Sequence, residues 1–339
     1  MVAQNLSFGR AFSTSPVANV SRVSPTATLP SDYRAVTEAC GLLDRSERGK
    51  LALSGGEAKT FLQGQVSNDI ESLKPGTGCY AALLTPKGKM LGDLRVLDTG
   101  EELLLDTERM TLQVLFNAIR RTMIGYDVQL HKRTLERGLV SLLGPGAFSV
   151  GGAESLAETP EHAHVSLQRD GIAMRAIRTD VGLDLLCESA DTEGLKTALE
   201  AAGALPVSDA TAETLRVERG RPRYGIDLDE NVIPQEAGLN ERAVSFTKGC
   251  YVGQETVARL YYRGKPNRHL RGLRLSAPAT SGDPIRYGDR EVGHLGSVTV
   301  SPRLGPLALA IVRREVPLGA TVVVGSAGVS AELVELPFA

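Results

Sequence analysis

Apolar and polar positions follow two different periods along this chain, and the changes of period mark its elements. Residues 32–43 carry helical spacing and predict a short helix ending at Asp44-Arg45-Ser46. Residues 50–54 alternate as a strand, and Ser54-Gly55-Gly56 is a turn. Residues 57–63 predict a helix with Ala58, Phe61 and Leu62 on one face. Strands at 79–84 and 90–97 flank the hairpin turn Thr85-Pro86-Lys87-Gly88. A strand at 102–106 precedes a helix at 111–123, where Leu112, Leu115, Phe116, Ile119 and Met123 form the apolar stripe. A strand at 126–130 closes this unit.

The second unit, 137–202, predicts strands near 139–143, 163–167, 172–177 and 184–187, with helices near 152–157 and 192–202. A helix at 210–219 leads into 220–249, which has little regular pattern. Unpatterned stretches of that length inside a compact domain are usually functional. From residue 265 short strands separated by Gly and Pro predict a small all-β barrel or sandwich. They fall at 269–275, 285, 291–293, 296–301, 307–312, 321–324 and 331–336. Tight hairpins dominate and no βαβα alternation appears, so the fold class is α+β.

Composition narrows the function classes. The chain has 339 residues, 42% hydrophobic and 23% charged, which is ordinary for a soluble globular protein of two or three domains. No apolar run approaches the roughly 20 residues of a membrane span. Thirty-eight basic and forty acidic residues leave a net charge of −2, so no whole-chain field draws the protein to nucleic acid or acidic membranes. Cys40, Cys79, Cys187 and Cys250 form no Cys-x-x-Cys pair. That excludes a metal site built from local pairs and fits a reducing compartment. Residues 1–30 hold no acid but include Arg10 and Arg22, a composition like an organelle transit peptide or a disordered tail. Arginine outnumbers lysine, and Ala, Gly and Leu are abundant, which favours a bacterial cytoplasm over a mitochondrial matrix.

The richest stretch for chemistry is Lys248-Gly249-Cys250-Tyr251-Val252-Gly253-Gln254-Glu255. A helix is predicted from Gln254 to Leu260. A thiol ahead of a helix N-terminus and two residues from a lysine has both ingredients of a lowered pKa. Gly249 and Gly253 allow close backbone approach or positive φ. The structural alternative is a small buried hydrophobe. His131, His162, His164, His269 and His294 all lie elsewhere in sequence, so a Cys–His dyad requires tertiary proximity.

Lys-Gly-Cys-Tyr-x-Gly-Gln-Glu resembles the signature of the YgfZ family, folate-binding relatives of the glycine-cleavage T-protein (aminomethyltransferase). That family includes a mitochondrial iron–sulfur assembly factor. The resemblance extends to Gly55-Gly56-Glu57-Ala58, Phe61-Leu62-Gln63-Gly64-Gln65, Ser67-Asn68-Asp69 and Leu83-Leu84-Thr85-Pro86-Lys87-Gly88-Lys89-Met90. It continues through Arg216-Val217-Glu218-Arg219-Gly220-Arg221-Pro222-Arg223-Tyr224-Gly225 and Ile233-Pro234-Gln235-Glu236-Ala237-Gly238-Leu239.

The resemblance implies a T-protein-like three-domain ring: two α+β parts and a C-terminal all-β barrel around an opening for tetrahydrofolate. The expected domains are 31–136 with 203–264 (folate-binding, discontinuous), 137–202, and 265–339. The implied function is a tetrahydrofolate-dependent accessory role in assembly or repair of iron–sulfur proteins, indirectly supporting tRNA modification. Its partners would be iron–sulfur client or assembly proteins and folate. Cys250 would be the reactive thiol and Lys248 its tuner or a local backbone cap, with Gly249, Tyr251, Gly253, Gln254 and Glu255 shaping the loop. Folate needs carboxylates for its pterin donors. Asp93 and Glu236 are the candidates, and Arg216 would meet a folate carboxylate or a structural acid.

Two departures bear on the reaction. Where aminomethyltransferases carry a Gly-Gly-x-x-Asp-Asp pattern, this chain has Gly88-Lys89-Met90-Leu91-Gly92-Asp93, with one carboxylate. The usual Thr-Gly-Glu-x-Gly segment is replaced by Thr179-Asp180-Val181-Gly182-Leu183-Asp184. A folate-dependent one-carbon transferase is thus the first alternative. The second is an RNA-binding module using Arg259, Arg263, Lys265, Arg268, Arg271 and Arg274, in a stretch free of acids from 256 to 282. The overall charge argues against direct nucleic-acid binding, and a solvated basic face is the plainer reading.

Overall fold

The computed structural model describes residues 29–338; the transit-like composition noted above falls almost wholly outside them. Two antiparallel-rich sheets face each other, and a closed barrel flanks them. The first sheet runs in the order Thr77–Leu84, Met90–Asp98, Leu103–Thr107, Gly49–Ser54, Gln129–Lys132. Helices Ala58–Gln65 and Leu112–Thr122 cover its outer face. Phe61, Leu62, Leu115 and Ile119 pack there on Leu51, Leu53, Leu94, Val96, Leu103 and Leu105. Each such side chain, fully buried, contributes about 1.5–3 kcal/mol.

Because strand side chains alternate faces, Ala52, Leu97 and Leu104 point the other way. They meet Ile177 and Leu186 of the second sheet. That sheet has the order Leu205–Pro206, Gly41–Asp44, Arg137–Leu143, Gly182–Glu188, Ile172–Thr179, His164–Arg169. Its far face is covered by helices Ala147–Gly151 and Thr192–Ala201.

The helix expected over 32–43 stops early. Ser31–Glu38 is helical, and Gly41–Asp44 is a strand paired with residues 140–143 of Arg137–Leu143 and with Leu205–Pro206. A short apolar run buried on both faces does not reveal its period. Gly41 is required by this packing, since a Cβ there would lie 2.6 Å from Val36 Cγ1. The first sequence unit therefore lends a strand to the second sheet. The helix expected near 152–157 is instead Ala147–Gly151 followed by a 3₁₀ turn, Glu154–Leu156.

The stretch 220–249 contains only the short helix Asn240–Ala243, yet Leu228, Val232, Ala237, Leu239 and Val244 are buried against Ala82, Leu84 and Met90. The C-terminal segment closes as a six-stranded barrel: Arg268–Leu275, Gly305–Arg313, Arg290–Ser301, Pro284–Tyr287, Thr321–Val324, Val329–Val334. The strands expected at 291–293 and 296–301 are one strand with an irregularity between Leu295 and Val298. Gly296 sits there because a Cβ would collide with Asp227. Helix Asp209–Glu218 ties the barrel to the sheets: Thr214 Oγ1 lies 2.6 Å from Thr299 Oγ1, and Glu218 accepts from Tyr33 (2.8 Å) and Ser301.

Candidate functional site

Between the sheets, beyond the apolar contact of Leu97 and Leu104, lies a cavity of about 970 Å³. Its floor is built by strand alternation. Asp93 and Arg95 share one face of Met90–Asp98, opposite the helix-covered side taken by Leu94 and Val96. Tyr80, across from Arg95 on the neighbouring strand, donates its hydroxyl to Asp93 Oδ2 at 2.5 Å. Burial, with help from Glu108, pushes the Asp93 carboxyl up to about 6 against the opposing Tyr80 hydrogen bond and Arg48 charge. Burial and the Asp93 carboxylate push the Tyr80 phenol well above its usual value. Arg242 lies over the Tyr80 ring, 5.2 Å from its centroid, and donates to Glu161 at 2.9 Å.

A largely buried charge network lines the same cavity. Arg48 pairs with Asp106 at 2.8 Å and with Glu108. Arg95 bridges Asp106 (2.9 Å) to Asp184 of the second sheet (2.7 Å), and Ser141 donates to Asp184 at 2.6 Å. Burial alone would raise the Asp106 carboxyl, but Arg48 and Arg95 overcome it and hold it at about 2. Leu43, Leu143, Val181 and Leu215 supply apolar wall. Arg109 and Arg219, both exposed, stand among the lining residues.

The residues singled out in sequence separate into three places. Asp93 and Arg216 line the cavity. Arg216 is engaged by acids of the fold: Asp227 at 3.0 Å, and Glu213. Asp227 also accepts from the Ser297 backbone (2.7 Å), so this arginine helps seat the barrel. Glu236 does not line the cavity. Its buried carboxylate pairs with Arg268 of the barrel at 2.8 Å and accepts from the Ile233 amide at 3.3 Å.

The third place is the Lys248–Glu255 loop, none of which lines the cavity. Lys248 Nζ donates to the carbonyls of Gln63 (2.5 Å), Val66 (2.8 Å) and Asn68 (2.8 Å). It also sits 5.0 Å from the centroid of the buried Tyr251 ring. Burial pulls its ammonium down to about 8. All three of its hydrogens are committed to backbone, so the lysine braces the loop. Lys248→Met removes a charged donor from three carbonyls at once and is expected to cost about 2–4 kcal/mol in urea unfolding at pH 7.

Gly253 has φ 86° and precedes helix Gln254–Arg263, longer than expected. A Cβ on it would lie 2.6 Å from the Thr85 carbonyl, so the glycine seats the Thr85–Lys89 hairpin turn against the helix. Gly249 is not crowded and has no positive φ, so the special backbone role expected of it is absent. Gln254 is half-buried and its backbone N–H donates to the Tyr251 carbonyl at 3.2 Å; Glu255 is exposed. Cys250 is exposed, whereas Cys40 and Cys187 are buried. The six cations of the basic run divide. Arg259 and Arg263 are on the helix, Lys265 is exposed in the link after it, and Arg268, Arg271 and Arg274 are on a barrel strand, with Arg268 paired to Glu236. Among the described residues no cluster of His, Cys, Asp and Glu could hold a metal ion, and no helix is long and apolar enough to cross a membrane.

Sequence reasoning missed Tyr80, Arg48, Arg95, Asp106, Glu161, His162 and Arg242. Arg95 left a signal, as the second charge on one face of an otherwise apolar strand. Glu161 and Arg242 left none, because they meet only through the fold.

Comparison with known proteins accounts for nearly the whole chain. The family described as the GCVT N-terminal domain matches residues 10–248, and the glycine cleavage T-protein C-terminal barrel domain matches residues 268–339. An aminomethyltransferase of Prochlorococcus marinus (strain MIT 9303) is 31% identical over 320 residues, covering 85% of this chain and 84% of that protein. One from Rubrobacter xylanophilus is 30% identical over 322 residues, covering 92% and 86%. The crystal structure of glycine cleavage system aminomethyltransferase T from Bartonella henselae shares the fold, with a TM-score of 0.81 at 23% identity over 91% of this chain and 88% of that one. Both family matches, one on the paired sheets and one on the barrel, place this chain in the glycine cleavage T-protein family.

Proposed function

We propose that this protein binds tetrahydrofolate in the cavity between the sheets. We further propose that it acts, as YgfZ-type members do, as an accessory factor in assembly or repair of iron–sulfur proteins. The observation that carries the second part is the placement of Cys250. It is exposed on a loop braced by Lys248, apart from the cavity, so a client can meet the thiol while folate is bound.

The donor set suits the ligand. A carboxylate and a phenol at the floor, apolar side walls and a volume of about 970 Å³ match what a pterin with an anionic tail requires. Asp93 would accept from the pterin N–H groups, with Tyr80 fixing the orientation of the carboxylate. Arg109 and Arg219 are placed for tail carboxylates. Tetrahydrofolate, when bound, supplies nitrogens that carry a one-carbon unit. Asp93, with its carboxyl near 6, can hold or release a proton close to neutral pH.

Anaerobic calorimetric titration with tetrahydrofolate tests the first part. Saturable binding is expected, weakened at least tenfold in Asp93→Asn. The same variant carries a stability signature. The folded pKa lies above the unfolded value near 3.9, so the native state takes up protons and loses stability as pH rises from about 4 to 6. Asp93→Asn removes that loss and is expected to gain up to about 2–3 kcal/mol above pH 7 relative to pH 4.5. No binding by the wild type would sink the folate reading.

A second reading, folate-dependent aminomethyl transfer, is favoured by the names of the relatives and by the retained Asp93. Gly92 weighs against it: a Cβ there would lie 3.3 Å from Thr111 Cβ, so a second carboxylate would be crowded. Folate-dependent ammonia release from an aminomethylated lipoyl protein would establish it.

A further inference from the structure

Among the described residues two non-glycines have positive φ, Asp170 at 50° and His162 at 73°. Asp170 precedes Gly171 in the turn between strands His164–Arg169 and Ile172–Thr179, an ordinary place for it. His162 has no such explanation. The Ala163 amide donates to the Pro160 carbonyl at 3.1 Å, closing a turn with Glu161 and His162 at its centre. Positive φ at the second central position is type II geometry, which favours glycine or asparagine. A histidine there is strained, and such strain persists only where its surroundings enforce it. Here His162 N donates to the Arg178 carbonyl at 2.9 Å, and Arg178 N donates to the Ala163 carbonyl at 2.8 Å.

A second, independent observation concerns the ring. The His162 side chain is 12% exposed and lines the cavity, and its Nδ1 is buried with no hydrogen-bond partner among the described residues. Its Nε2 lies 3.7 Å from Glu161 Oε1, which favours the ring proton on Nε2 and leaves the Nδ1 lone pair bare. Buried polar atoms are nearly always bonded, so this one needs a partner that none of the described residues provides. The position is also apt. Glu161 accepts from Arg242, Arg242 lies over Tyr80, and Tyr80 donates to Asp93. The strained turn is thus linked through Arg242 to Tyr80, which orients the floor carboxylate.

We propose that His162 is a ligand-binding residue whose Nδ1 accepts a hydrogen bond from an N–H of the molecule in the cavity, directly or through one water. Asp93 and His162 then present two acceptors to a heterocycle bearing several N–H donors. This rests on the reading of the cavity as a folate site. It adds a specificity element: a ligand lacking the donor leaves Nδ1 unpaired and binds less well.

The test pairs calorimetry with thermal unfolding, with tetrahydrofolate as the probe. His162→Gly is expected to bind at least tenfold more weakly, with a Tm unchanged or raised, because glycine relaxes the turn. His162→Asn tolerates the same φ and retains an acceptor, and is expected to bind within about threefold of the wild type. Equal affinity of His162→Gly and wild type would overturn the assignment while leaving the folate site standing. A Tm lowered by several degrees in both variants, with binding lost in both, would make His162 structural and also overturn it. No binding by the wild type would defeat the folate reading itself, and this assignment with it.

Discussion

Arg95→Met is expected to destabilise the protein by about 3–5 kcal/mol, the largest stability effect among these substitutions. Arg95 is 8% exposed on its side chain and spans the two sheets, with one nitrogen 2.7 Å from Asp184 and another 2.9 Å from Asp106. Methionine fills the stem but leaves two buried carboxylates short of a countercharge. Asp106 keeps Arg48, whereas among the described residues Asp184 keeps only the Ser141 hydroxyl as a direct side-chain partner. Urea unfolding at pH 7 reads the loss. The pH dependence gives a second check. The depressed Asp106 pKa contributes stability that is present above its unfolded value near 3.9 and is lost as pH falls through about 2. With Arg95 gone that depression shrinks, so the gap between wild type and variant narrows below about pH 4. A loss under about 1 kcal/mol would mean that the apolar contact of Ala52, Leu97 and Leu104 with Ile177 holds the sheets together unaided.

Cys250→Ser is expected to abolish the ability of the protein to restore iron–sulfur enzyme activity in cells lacking the native gene. Its folding free energy should change by no more than about 0.5 kcal/mol, because the side chain is exposed. Tetrahydrofolate affinity should be unaltered, since the loop does not line the cavity. Asp93→Asn is expected to do the reverse, lowering folate affinity while leaving the thiol in place. Together the two variants separate the working parts. Full restoration by Cys250→Ser would remove the thiol from the function and leave the cavity as the only candidate. One thiol cannot hold a cluster that normally needs about four ligands. Any contact of Cys250 with a cluster must therefore be shared with a client or a small thiol.

The strongly periodic elements were legible in the sequence, and so was the barrel with its Gly and Pro punctuation. Local signals sufficed for both. Asp93 was singled out through the resemblance, as the one carboxylate left of the acidic pattern, and the fold brings it to the cavity. Glu236 misled, since its partner Arg268 comes from a barrel strand that no local pattern connects to it. For Lys248 the sequence left two roles open, tuning Cys250 or capping local backbone, and its contacts fit the second: it turns to the carbonyls of Gln63 and Val66, because sequence adjacency does not set side-chain direction outside regular elements. His162 was visible only as one of five histidines, because its turn and its orphan nitrogen belong to the fold.

Strand Gly41–Asp44 emerges early in synthesis, yet its neighbours are Arg137–Leu143 and Leu205–Pro206. The nascent chain must therefore carry an unpaired apolar segment, Gly41-Leu42-Leu43, until most of the two-sheet body has left the ribosome. Loop-closure entropy is lost before such distant pairings are rewarded, which slows folding and prolongs exposure of that segment. The order in which the sheets complete is thus dictated from the N-terminus: truncation anywhere before residue 206 leaves the second sheet without an edge strand and Leu42 without its full cover.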